Sequence, residues 1–178
     1  SIVGSREGPA LGQAMDLREG IDIELDPYIG WSGALGENAE LDVSLTYVSY
    51  PGHLYGYDYA YTELEGVLTF ADHFHVGLAY SPDIFNLGGY GIYGNAGVEL
   101  PLGESGFDLK AQVGHYDLND AVGDSYNDFQ VGLGRSFGPL RADLLYTDTS
   151  SYGEALSEGL DDASQADGRV SLQVTWEF

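Results

Sequence analysis

The chain contains no cysteine, so a disulfide framework, a thiolate nucleophile and a cysteine-based metal site are all excluded. That absence is compatible with an oxidising compartment without establishing one. Basic residues are scarce as well: 6 Lys plus Arg stand against 29 Asp plus Glu, a formal net charge of −23 over 178 residues. Such a balance argues against nucleic-acid binding, because phosphate contacts need a basic surface. It also disfavours ordinary docking on anionic phospholipid. No run of about 18 apolar residues exists, so there is no transmembrane helix. The chain opens at Ser1 without an initiator Met, a charged leader or an apolar leader core, as a processed or trimmed mature form would. Its length suits one domain, residues 1–178.

What is present does not fit a disordered acidic tail. The composition is 43% hydrophobic and 13% aromatic, with 26 Gly and 14 Tyr, so the charges must be segregated from an apolar surface. Rich Gly and Tyr with few helix-forming runs point to an all-β chain.

The segregation is visible along residues 21–32, IDIELDPYIGWS. Ile21, Ile23, Leu25, Ile29 and Trp31 alternate with Asp22, Glu24, Asp26, Tyr28 and Ser32. Strict period-2 alternation reads as a strand with one apolar and one polar face. The pattern returns eight more times, ending on Val170, Leu172, Val174, Trp176 and Phe178 against Arg169, Ser171, Gln173, Thr175 and Glu177. In these segments Arg135 is the one charged residue on the apolar face, close to a strand end where a long side chain can snorkel.

A soluble β-sandwich would alternate too, but three features count against it. Most segments run near the ~9–11 residues that cross a bilayer at a tilt, longer than the ~5–6 usual in soluble sheets. Short connections after Ser32, Phe70, Leu100 and Phe137 alternate with longer ones at 51–58, 82–91, 117–126 and 148–167. The apolar-face aromatics also sort by height. Trp31, Phe70, Phe74, Phe107, Phe137, Trp176 and Phe178 fall at the short-turn end, and Tyr47, Tyr80 and Tyr146 at the long-loop end, as two lipid-interface girdles. The expected fold is therefore a closed antiparallel transmembrane β-barrel.

The C-terminal VSLQVTWEF, with apolar residues at alternate positions back from Phe178, resembles the strand by which bacterial outer-membrane barrels are recognised by their assembly machinery. More broadly the chain resembles the TorF-type porins of proteobacteria. The resemblance rests on GPALGQ, IDIELDPYIGWSG, VSLTYVSYPG, DYAYTELEG, GVELPLGE, the motif starting at Tyr126 and the C-terminal strand, in that order, and covers most of the chain from residue 8 onward. It implies a small membrane-embedded, non-catalytic barrel of the bacterial outer membrane, in contact with outer-membrane lipid and lipopolysaccharide. Nine clear segments plus a weak one over 9–17 make about ten strands, whereas the family pattern implies twelve.

On a barrel the polar face becomes the lumen. Asp22, Glu24, Asp26, Glu40, Asp42, Glu63 and Glu65 would form an acidic wall opposite Lys110, Arg141 and Arg169, a transverse field that favours cations. The competing expectation is that these charges pair and fill a narrow lumen, since interiors near eight strands are filled by side chains. The function expected is thus a porin for small solutes with a cation preference, or a non-conducting structural or accessory subunit whose Tyr- and Gly-rich loops meet a protein partner in an envelope complex.

No cofactor is implied. Asp117, Asn119, Asp120 and Asp124 share one loop and Glu158, Asp161, Asp162 and Asp167 another. Ala121 breaks the EF-hand spacing, so solvated charge explains them better than a metal site. Catalysis is not expected either. There is no Gly-x-Ser-x-Gly elbow, and His53, His73, His75 and His115 fall in loops, beside a turn or near an interface.

Overall fold

The computed structural model describes residues 24–51, 58–159 and 167–176. Its alternating segments form nine strands: β1 (Tyr28–Ala34), β2 (Ala39–Val48), β3 (Tyr61–Phe70), β4 (Phe74–Ser81), β5 (Gly91–Pro101), β6 (Phe107–Leu118), β7 (Asp124–Phe137), β8 (Leu140–Ser150) and β9 (Arg169–Trp176). Two short helices, α1 (Asn119–Val122) and α2 (Glu154–Gly159), and a 3₁₀ turn at Ile84–Asn86 occupy connections. All nine strands belong to one sheet in which spatial order equals chain order and every neighbouring pair is antiparallel. The chain is an all-β antiparallel meander, and β1 and β9 are its two edges among the described residues.

Register places like residues side by side. Leu100, Leu109, Leu133, Leu144 and Leu172 pair in succession across β5 to β9, forming one leucine row. A second row, Val98, Ala111, Val131, Tyr146 and Val170, lies beside it. Because successive side chains point to opposite faces, every residue of both rows is on the same face.

Exposure is inverted relative to a water-soluble sheet. On β8, Leu144 is 53% exposed while its neighbour Asp143 is 2% exposed. On β4, Leu78 is 58% exposed and Ala79 is 6% exposed. The apolar face looks outward and the polar face is sheltered, most deeply between β4 and β8. A flat single-layer sheet could not shelter one face in this way, so the polar side is concave.

Turn chemistry matches the short connections. Gly138 takes φ +64° in the two-residue turn at 138–139, which suits the hairpin class that opens with Gly. Residues 71–73 and 102–106 close the next two hairpins on the same end. The aromatics expected at that end stand there, and Phe70 stacks on Phe74 across its turn with ring centroids 5.2 Å apart. Tyr80 pairs with Tyr90 at 6.4 Å and Phe129 with Tyr146 at 6.0 Å nearer the other end. Phe178 lies outside the described residues.

Three expectations are corrected. The strand over 21–32 is not uninterrupted: regular pairing starts at Tyr28, because Pro27 has no N–H to give to the ladder. Upstream, among the described residues, Leu25 and Ser49 exchange backbone bonds at 2.9 and 3.0 Å, and Tyr47 donates to the Pro27 carbonyl at 3.0 Å. The connection at 117–126 is not long either. β6 continues to Leu118 and β7 begins at Asp124, leaving a tight five-residue link at 119–123 that contains α1. Likewise β8 runs on to Ser150 instead of ending before Asp148. These extensions put His115, Asp117, Asn127 and Asp148 on the outward face beyond the apolar rows, where His115 Nδ1 and Asn127 Oδ1 lie 2.8 Å apart. Polar residues on both faces mark the part of the sheet that has left the apolar band. Period-2 reasoning stops at the band edge for that reason.

Candidate functional site

The candidate site is the sheltered polar face, which has three layers from the short turns to the long loops.

Nearest the short turns is an ion-pair network. Lys110 Nζ on β6 meets Asp143 Oδ1 on β8 at 2.7 Å and Glu99 Oε2 on β5 at 3.6 Å. Arg141 donates from Nη2 to Glu99 Oε1 at 2.7 Å, from Nη1 to Asp108 Oδ2 at 3.3 Å and from Nε to both Asp143 oxygens at 3.1 Å. Gly134 makes the network possible: a Cβ there would collide with the Arg141 guanidinium and the Asp143 carboxylate. The same device recurs in the middle layer. Gly97 leaves room for His75 Nε2 and Gln112 Oε1 to meet over β5 at 3.0 Å. Gly114 lets the Tyr93 hydroxyl donate to Asp128 Oδ1 over β6 at 3.1 Å. Glycine on the intervening strand thus permits contacts between strands two apart.

Nearest the long loops the face turns apolar. Ile84 is fully buried, and it clusters with Phe85, Leu118, Tyr126 and Leu156. The Phe85 ring meets Tyr61 edge-on at 4.9 Å. This insertion holds Phe85 at φ +54°, a left-handed backbone that costs a bulky residue about 1 kcal/mol or more. Carboxylates tie the loops down. Asp83 accepts the Gly88 N–H at 2.7 Å, Asp120 accepts the Tyr90 N–H at 3.1 Å, and Asp124 accepts the N–H groups of Gly153 and Leu156 at 2.9 and 3.0 Å. Asp117 accepts from the Asn119 backbone and side chain at 3.0 and 2.7 Å. The acids of the loop at 117–126 therefore hold backbone. Among the described residues no group of three or more His, Asp or Glu is placed to bind a metal ion.

The expected acidic wall sits on β2 and β3 and just before β1. Glu40, Asp42, Glu63 and Glu65 share the polar face, and Glu40 accepts the Ser32 hydroxyl at 2.6 Å. Glu24 and Asp26 lie side by side upstream of β1. Partial burial, and then the charge and hydrogen bonding of Glu24, push the Asp26 carboxyl up to about 6. Asp22 lies outside the described residues. Lys110, Arg141 and Arg169 are on the same face of β6, β8 and β9. Lys110 and Arg141 are enclosed by Glu99, Asp108 and Asp143, so they do not stand as a bare basic wall opposite the acids. Sequence reasoning missed those specific partners, which depend on register across three strands. It also missed the Ile84–Phe85 insertion, although two large apolar residues in a Pro- and Gly-bounded loop were a readable signal.

A family model described as "Bacterial protein of unknown function (Gcw_chp)" matches residues 9–176. The chain belongs to this bacterial family. No curated protein and no solved structure matches it. The Gcw_chp match takes in all nine strands, both helices and every layer of the polar face.

Proposed function

We propose that this Gcw_chp protein is a closed β-barrel of the bacterial outer membrane, forming a narrow pore that passes small solutes and prefers cations. The observation that carries the reading is the inverted exposure: leucine and valine rows outward, carboxylates and ion pairs inward. Leaving one such side chain in water forgoes roughly 1.5–3 kcal/mol, and soluble monomers rarely expose apolar patches beyond a few hundred Å². A bilayer removes that penalty, and an up-and-down meander is the topology that outer-membrane barrels use. The TorF-type resemblance supports the same reading. The cation preference rests on the acidic make-up of this face, where Glu24, Asp26, Glu40, Asp42, Glu63 and Glu65 stand on or beside β1 to β3 while Lys110 and Arg141 are matched by Glu99, Asp108 and Asp143.

Single-channel recording in planar bilayers under a salt gradient tests this directly. The wild type should give a reversal potential on the cation side, and Glu63→Gln with Glu65→Gln should move it toward zero. An unchanged reversal potential in the double variant would remove these residues from the selectivity wall. Selectivity should also depend on pH. Asp26, pushed up to about 6, is protonated below that pH and ionised above it, so cation preference should rise between pH 5 and 7. Asp26→Asn should abolish that rise.

A second reading, a non-conducting structural or accessory barrel, is favoured by the Ile84–Phe85 insertion over the long-loop end of the polar face. Absence of conductance together with a stoichiometric co-purifying envelope protein would select it.

A further inference from the structure

We propose that Arg135, flanked by Phe107 and Phe137, is a binding site for the phosphodiester of an anionic glycerophospholipid at the short-turn rim. This rests on the membrane reading above.

Three observations converge on it. Arg135 is on the outward face of β7, in register with Phe107, Ala142 and, one strand further, Val174, so its row is otherwise apolar. Its guanidinium carbon lies 4.7 Å from the Phe107 ring centroid and 5.1 Å from that of Phe137, so two aromatic faces hold the head in place. Finally, in a chain with 29 acids, Arg135 makes no ion pair among the described residues. Lys110 and Arg141, on the opposite face, are each surrounded by carboxylates.

A charged head in an apolar band is costly unless it reaches a partner, and cation–π contacts offset only part of that cost. A guanidinium offers five donors in a planar fork that matches phosphate oxygens two at a time. The two rings fix the fork and present a flat apolar flank where an acyl chain begins. The short-turn end of an outer-membrane barrel faces the periplasm. The available anion there is an inner-leaflet phospholipid, since lipopolysaccharide faces the long loops. The acids of the short turns, Glu37, Asp72 and Glu104, repel anionic headgroups elsewhere on that rim, so the local cation takes a single lipid.

Native mass spectrometry of the purified protein in neutral detergent tests the site. The probes are phosphatidylglycerol and a phosphate-free neutral glycolipid with the same acyl chains. The wild type should retain one phosphatidylglycerol under conditions that strip the glycolipid. Arg135→Gln should lower that retention about tenfold, with Arg135→Lys intermediate because a point charge replaces the fork. Co-flotation with phosphatidylethanolamine vesicles reports membrane insertion separately, and both variants should float like the wild type. Equal phosphatidylglycerol retention by Arg135→Gln, or equal retention of the glycolipid by the wild type, overturns the site. Flotation of the wild type without phosphatidylglycerol retention overturns the site alone. Failure of the wild type to float overturns the membrane reading and the site with it.

Discussion

Arginine at Leu144 should destabilise the protein in a bilayer by about 2–4 kcal/mol, the cost of a cation near the midplane of a barrel exterior. Leu144 stands in the middle of the leucine row, outward and 53% exposed, with Leu133 and Leu172 beside it. The size of the effect discriminates because the two surroundings predict opposite outcomes. On a water-facing sheet, an exposed position away from caps and networks tolerates substitution within about 0.5 kcal/mol. The same arginine at Glu37, exposed in the short link between β1 and β2, should cost little in either setting. Urea unfolding of the protein reconstituted in vesicles measures both. A Leu144→Arg variant as stable as the wild type would exclude lipid on that face.

Asp143→Ala should cost about 3–5 kcal/mol, the range for removing one partner from a buried ion pair. Asp143 is 2% exposed and takes bonds from Lys110 and Arg141 together, so its loss leaves two part-buried cations with only Glu99 and Asp108. The loss should be sub-additive: Asp143→Leu combined with Lys110→Met removes charge of both signs and should cost less than the sum of the single changes. Thermal unfolding in detergent reads these differences. If Asp143→Ala melts within a degree or two of the wild type, the network does not stabilise the sheet.

The strand segments, the identity of their two faces and the position of Arg135 as the exception were all legible in the sequence. Side-chain alternation is a local property of extended backbone and needs no knowledge of neighbouring strands. The short turns were legible for the same reason, since Gly138-Pro139 carries its own backbone preference. Elements that depended on distant partners were not. The early stop of regular pairing at Pro27 depends on what β2 can offer, and the extension of β6 and β7 to a five-residue link depends on contacts beyond the apolar band.

The sequence by itself determined that this chain makes an antiparallel sheet with one apolar and one acidic face, because period-2 patterning and net charge are properties of residues in order. Tertiary structure alone decided which acids hold Lys110 and Arg141, that inner-face glycines let side chains meet across a strand, and that Ile84 and Phe85 fold over the long-loop end. Those contacts join residues tens of positions apart. Register and sheet curvature select them, and neither is written in any single stretch of the chain.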